Sequence, residues 1–212
     1  MAPTKKEVRA ILLLGPTGAG KTPLGEYFEK KGFGGRKCLH FDFGHEMRSI
    51  ALGNRPPEGF DKEEHSFIRD VLDKGLLLEN EHFPIAKKII DFFLHRKSFT
   101  ARHTLILNGI PRHVDQARDM DAVADIESLV VLECSADDTC HRISSNVGGD
   151  RTRRVDDGIG MIRKKLEIYT SRTAPLIDYY ADRGCNIFAI KVTATSTTED
   201  FYSSLLSAQR PL

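Results

Sequence analysis

Short apolar runs and longer mixed stretches alternate along this chain. Residues 8–14, 38–42, 103–108, 129–134 and 185–191 are runs of five to seven positions rich in Val, Ile, Leu or Phe. Each has the length and composition of a buried β-strand. Between them lie segments of ten or more residues whose apolar positions recur at helical spacing. Strands separated by helices predict βαβ crossovers, hence a parallel sheet covered by helices on both faces. The class is α/β.

The spacing of the runs is uneven. About sixty residues, 43–102, separate the second run from the third, too many for one crossover helix. They read as a helical insertion with helices over 44–52, 62–75 and 80–95, broken by a turn at 54–57 and by Gly75. A polar, glycine-containing and basic stretch, Asn-Val-Gly-Gly-Asp-Arg-Thr-Arg-Arg over 146–154, forms a second departure between two helical segments. The segment 156–181 reads as helix until Pro175 interrupts it.

The chain has 212 residues with 31 Lys plus Arg against 30 Asp plus Glu, a net charge of +1. Apolar residues are 40% and charged ones 29%, which suits a globular protein and excludes intrinsic disorder. A chain this long buries roughly 70–75% of its extended surface and needs no disulfide or metal staple. The near-neutral balance argues against a large nucleic-acid footprint. Four cysteines (Cys38, Cys134, Cys140, Cys185) lack metal-site spacing and are expected as buried, reduced thiols. No apolar run approaches the ~20 residues of a membrane span, and the N-terminal run is too short for a signal peptide. A cytoplasmic monomer without membrane or nucleic-acid partners is expected.

Gly15-Pro-Thr-Gly18-Ala19-Gly20-Lys21-Thr22 matches the phosphate-loop pattern G-x-x-x-x-G-K-[ST], directly after the first strand and opening a helix. Glycines let backbone N–H groups turn toward phosphate oxygens, and the helix N-terminus adds partial positive charge. Lys21 is suited to the β/γ-phosphates and the Thr22 hydroxyl to Mg²⁺. The pattern arises by chance in on the order of one in a hundred chains of this length, and the strand-before, helix-after context lowers that further. Pro23 is tolerated because it falls in the first helical turn.

Ligands of open parallel sheets sit at the carboxyl ends of the strands. Asp42-Phe43-Gly44-His45-Glu-Met-Arg48 follows the second strand, and Asn108-Gly109-Ile-Pro111-Arg112-His-Val-Asp-Gln116 follows the third. Arg48, Arg112 and Gln116 are therefore predicted to face the phosphate loop across one cleft. A guanidinium fork suits a phosphate and an amide suits a base edge, so the acceptor these residues fit carries both. Arg142, Arg151, Arg153, Arg154 and Lys165 belong to or flank the basic loop, which reads either as a solvated charged surface or as a cap closing on phosphates.

With these motifs in this order, from about residue 8 to residue 191, the chain resembles the adenylate kinase family of nucleoside monophosphate kinases. Asn108-Gly-Ile-Pro-Arg112…Gln116 is similar to the family's Asp-Gly-Phe-Pro-Arg…Gln signature. Gly44…Arg48 resembles its Thr-Gly-Asp-x-x-Arg segment, and Arg154-Val-Asp156-Asp157, Lys165-Leu and Thr173-Ala-Pro175 resemble its lid hinge and following helix. The resemblance implies a P-loop three-layer α/β/α fold with a five-stranded parallel sheet: one kinase domain over 1–212, with core 1–42, 103–145 and 156–212. Residues 43–102 would be the helical monophosphate-binding insertion and 146–155 a short lid. Gly15, Gly18, Ala19, Gly20, Lys21, Thr22 and Arg142 would bind ATP, with Arg142 stacked on its base. Gly44, Arg48, Gly109, Arg112 and Gln116 would bind the monophosphate, and Lys21, Arg112, Arg154 and Lys165 would act in catalysis.

The sequence departs from the family where two carboxylates usually orient the Mg²⁺ water shell. His45 and Asn108 stand there, so metal ligation is expected to shift to Thr22 with Asp42 as acidic partner. Asn146 replaces a lid arginine, Lys165 another arginine, and Phe43 a threonine near the acceptor base. The implied reaction is ATP·Mg²⁺ plus AMP giving two ADP. The alternatives are a P-loop kinase for another phosphorylated acceptor and a nucleotide-binding sensor with weak or no transfer.

Overall fold

A computed structural model describes residues 7–53, 55–75, 78–150 and 159–208. Five strands, β1 (Arg9–Leu14), β2 (Lys37–Asp42), β3 (His103–Asn108), β4 (Asp125–Cys134) and β5 (Asn186–Val192), form one sheet in the order β2-β3-β1-β4-β5. Every pairing is parallel. This is the three-layer α/β/α arrangement expected of the sequence. The central strand shows why its run is unbroken by polar residues. Ala10, Leu12 and Leu14 enter the core on one face, Ile11 and Leu13 the core on the other. A strand covered on both faces has no solvent side to encode.

On one face lie α1 (Lys21–Lys31) and α9 (Thr198–Ala208), which bury Leu24, Phe28, Phe201 and Leu205. The Tyr202 hydroxyl donates to the Gly32 carbonyl at 2.7 Å, tying α9 to the end of α1. The other core joins α2 (Phe43–Ala51), α3 (Lys62–Asp73), α4 (Phe83–Arg96), α5 (Val114–Met120) and α8 (Leu176–Ala181). A capping box between Asp61 and Glu64 starts α3. Glu46, 3% exposed on α2, is neutralised by Arg96 Nη2, which lies 2.8 Å from both of its oxygens. That partner matters because an unpaired buried carboxylate is strongly destabilising.

Several boundaries differ from those the pattern predicts. β4 begins at Asp125 rather than 129, because Asp125 and Glu127 alternate to solvent around buried Ile126. The last helix of the 43–102 segment opens with a 3₁₀ turn, Asn80–His82, before α4. The helix α7 (Ile159–Ile168) runs into a π-helical turn, Tyr169–Thr173, and α8 resumes after Pro175. The proline has no N–H and its ring crowds the carbonyl four residues back, so the interruption appears just ahead of it. The four cysteines are free, but only Cys38 is buried; Cys134 and Cys185 are half-buried and Cys140 is exposed, against the expectation that all would be buried. α6 (Ala136–Ser145) starts on the Ser135 cap and stops at Asn146, which takes a left-handed conformation. The basic stretch after it is described only to residue 150; Arg151, Arg153, Arg154, Asp156 and Asp157 lie outside the described residues. Among those described, no helix is long and apolar enough to cross a membrane.

Candidate nucleotide site

The loop after β1 turns into α1 through glycines whose positive φ and close neighbours disfavour any side chain. Gly15 has φ +145°, and a Cβ there would stand 2.8 Å from the Leu132 carbonyl oxygen. Gly20, with φ +106°, is the N-cap of α1, and a Cβ on it would press within 3.0 Å of the Phe201 ring. No acidic side chain lies in the first turn of α1, so the helix end keeps its positive character. Lys21 Nζ arches back over the loop and donates to the carbonyls of Gly15 at 2.6 Å and Pro16 at 2.7 Å. Its ammonium thus lies over the Gly15–Pro16 turn, on the side where a phosphate chain would be gripped.

Arg142 braces this loop from α6. Its Nε donates to the Gly18 carbonyl at 3.1 Å, and its Nη1 donates to the carbonyls of Thr193 at 2.9 Å and Ser196 at 2.8 Å. The guanidinium also lies 5.8 Å from the centroid of the Phe201 ring, and the residue is 4% exposed. One side chain therefore joins the phosphate loop to the segment between β5 and α9.

The carboxyl ends of β1, β2 and β3 meet in a second cluster. The Thr22 hydroxyl donates to Asp42 Oδ2 at 2.8 Å, and Asn108 Nδ2 donates to the same oxygen at 2.8 Å and to Thr22 Oγ1 at 3.1 Å. Asp42 Oδ1 caps α2 by accepting the His45 N–H at 2.9 Å. Burial alone would raise the Asp42 pKa. The bonds from His45 and Thr22, with His40 and Arg48 nearby, outweigh it and hold the carboxyl below its ordinary range. Asp42 is thus an anion beside a hydroxyl, a donor pair that suits Mg²⁺, which typically takes one or two carboxylates and fills its shell with phosphate and water. No group of three or more His, Cys, Asp or Glu side chains suited to a metal occurs among the described residues. His45 is exposed at the start of α2, whereas Asn108, 4% exposed, orients the Asp42–Thr22 pair.

The two arginines on the far side lie beside glycines, Arg48 tightly and Arg112 at ordinary contact distance. Arg48 Nη1 lies 3.2 Å from where a Cβ on Gly44 would stand, and Arg112 Nη2 lies 3.7 Å from the corresponding point on Gly109. Arg112 Nε donates to the Gly109 carbonyl at 2.9 Å, after a turn in which the Ile110–Pro111 peptide is cis. Gln116 is 2% exposed and both ends of its amide are engaged: Oε1 accepts the Arg112 N–H at 2.9 Å, and Nε2 donates to the Leu78 carbonyl at 2.6 Å. Lys165 is half-buried on α7. Arg172 and Glu79, which sequence reasoning did not single out, also reach this side, next to Thr173 of the Thr173-Ala-Pro175 motif. Arg172 forms a two-pronged ion pair with Glu79, both contacts 2.8 Å, and the Thr173 hydroxyl donates to the Arg112 carbonyl at 2.9 Å. Nothing in the local pattern marks Glu79, which lies 93 positions from its partner.

A parallel sheet with a glycine loop, an invading lysine and a hydroxyl–carboxylate pair at its carboxyl edge defines a P-loop nucleotide-binding protein. A family model described as an AAA domain matches residues 11–159, well over half of the chain, and the chain belongs to that family. The chain is similar to the adenylate kinase of Rickettsia typhi, 29% identical over 205 residues that cover 82% of this chain and 87% of that protein. It is also similar to the adenylate kinase of Prochlorococcus marinus, 26% identical over 204 residues covering 93% and 95%. UMP-CMP kinase 1 of Oryza sativa subsp. japonica is 23% identical over 185 residues, covering 86% of this chain and 67% of its own.

Proposed function

We propose that the protein transfers the γ-phosphoryl group of ATP·Mg²⁺ to a nucleoside monophosphate, with AMP as the acceptor. The observation that carries this reading is the hydrogen-bonded meeting of Thr22, Asp42 and Asn108 beside the Lys21 loop, with Arg48 and Arg112 around the same strand ends. The names of the similar proteins, adenylate kinases and a UMP-CMP kinase, support it. Residues 43–102 would form the acceptor-binding insertion and 146–155 the short lid.

In this reading Lys21 exchanges its two loop carbonyls for β/γ-phosphate oxygens, and the loop N–H groups hold the phosphate chain at the start of α1. Thr22 and Asp42 would hold Mg²⁺, which supplies charge neutralisation on the donor phosphates. Arg48 and Arg112 grip the acceptor's phosphate. Gln116 meets its base by giving up one of its two backbone partners, and Arg142 borders the ATP base while bracing the loop. Arg154 and Lys165 would bring positive charge to the transferring group. An acceptor phosphate oxygen is already anionic, so alignment and charge stabilisation suffice and no general base is needed.

The test is ATP- and Mg²⁺-dependent phosphorylation of AMP, GMP, CMP, UMP and dAMP, with Lys21→Ala as control. ADP formed from AMP, and abolished in a folded control, is the expected result. Turnover of a different monophosphate would move the acceptor, with Phe43 beside Gly109 as the first side chain to vary. Silence across the panel with ATP still bound would refute transfer to a nucleoside monophosphate and favour another acceptor or a nucleotide sensor.

A further inference from the structure

Six links close a ring on the acceptor side of the cleft. The Leu78 carbonyl accepts from Gln116, Gln116 accepts from the Arg112 N–H, and the Arg112 carbonyl accepts from Thr173. Thr173 is bonded in sequence to Arg172, Arg172 is paired with Glu79, and Glu79 follows Leu78. Three distant pieces of chain are thereby locked together: the segment before α4, the β3–α5 turn and the π-helical turn before Pro175. Five of the links are short, neutral bonds or covalent neighbours. The ion pair is the one charged link, and its fork geometry restrains both position and angle.

We propose that Arg172 and Glu79 are positioning residues for the acceptor: their ion pair holds the Leu78 carbonyl and the Gln116 amide in register with Arg112. This inference rests on the functional reading above. Neither side chain is placed against the transferring phosphoryl. The pair is half in solvent, with side-chain exposures of 35% for Arg172 and 53% for Glu79, so it contributes little to overall stability. Its effect is local, because Leu78 and Thr173 are each one residue from a charged partner and one hydrogen bond from the Arg112–Gln116 turn. Burial, with the Arg172 charge nearby, also keeps His113, the N-cap of α5, below its ordinary pKa and so neutral as an acceptor for the Gln116 N–H.

The test compares Arg172→Met, Glu79→Gln, Arg172→Lys and the exchanged pair R172E/E79R in steady-state kinetics. The acceptor is whichever of AMP, GMP, CMP or UMP the wild type phosphorylates with the lowest KM. Each single removal is expected to raise the acceptor KM roughly fivefold, leaving kcat at saturation, the KM for ATP and the melting temperature unchanged. The lysine variant falls between, since it keeps the charge and loses the fork. The exchanged pair should restore most of the affinity. An unchanged acceptor KM in R172M, with an active wild type, would overturn this inference alone. So would a parallel rise in the KM for ATP or a fall in melting temperature, either of which marks a merely structural pair. A wild type that phosphorylates no monophosphate would overturn the functional reading and this inference with it.

Discussion

Replacing Arg142 with Met tests how the phosphate loop is held. Methionine fills much of the same volume but donates no hydrogen bond, so three carbonyl oxygens, those of Gly18, Thr193 and Ser196, lose a charged donor together. A hydrogen bond to a charged group contributes about 1.5–3 kcal/mol, and the guanidinium over Phe201 adds ~1 kcal/mol. These do not add in full, because the three bonds and the ring contact share one guanidinium. A net loss of about 3 kcal/mol follows. At roughly 2–4 °C per kcal/mol for a domain of this size, the melting temperature should drop by about 6–12 °C. Calorimetric melting measures that directly, and titration calorimetry should show ATP binding weakened about tenfold, since the Gly18 peptide loses its tether. Arg142→Lys should recover about half the stability, because one ammonium cannot span all three acceptors. A melting temperature within about 2 °C of wild type would refute the brace. If ATP affinity alone fell, Arg142 would act on the bound base and not on the loop.

Thr22→Ala and Asp42→Asn should each raise the Mg²⁺ concentration for half-maximal turnover by roughly tenfold while leaving ATP binding without metal nearly intact; an unchanged Mg²⁺ titration would remove this pair from the metal site. Gly25→Ala puts a Cβ 2.2 Å from the His40 ring, so it should cost ~1–3 kcal/mol in urea unfolding, and adding His40→Ala should recover part of it. Burial holds both His40 and His113 below the ordinary histidine pKa of 6.5. The unfolded chain binds these protons first, so the stability they contribute is complete above about pH 7 and is lost as pH falls through 6.5, at up to ~1.4 kcal/mol per pH unit for each. Urea titrations at several pH values between 5 and 8 check this, and a flat profile would contradict it.

The parallel sheet was legible because both faces of β1, β3 and most of β4 are buried, which leaves continuous apolar runs. It blurred where a strand protrudes: Asp125 and Glu127 look like loop residues until their alternation with Ile126 is seen against β1. The phosphate loop was legible for a related reason, since its glycines, lysine and threonine are contiguous and each type has one physical use. Asn108 was harder. Read alone it is a carboxylate lost, whereas beside Thr22 and Asp42 it is the donor that fixes the acid remaining. Gln116 and Arg142 were legible as important positions, but their partners are main-chain carbonyls and an N–H, which leave no trace in residue type. The Glu79–Arg172 pair was invisible because charged residues on surface turns are common and only tertiary closure brings these two together.

The pairing of β2 with β3 has a consequence for how such a protein can change. Asp42 and Asn108 end in register on neighbouring strands. The described residues of 43–102 therefore leave the sheet and return to it without entering the hydrogen-bond ladder of β1, which pairs with β3 and β4. The buried side of this excursion shares a core with Ala10, Leu12 and Leu14 of β1, so changes on its outer surface, rather than to its buried face, leave the phosphate loop's foundation unaltered. Under the proposed transfer reading, a new acceptor could then be met by resurfacing one excursion while the sheet ladder beneath the phosphate loop stays constant.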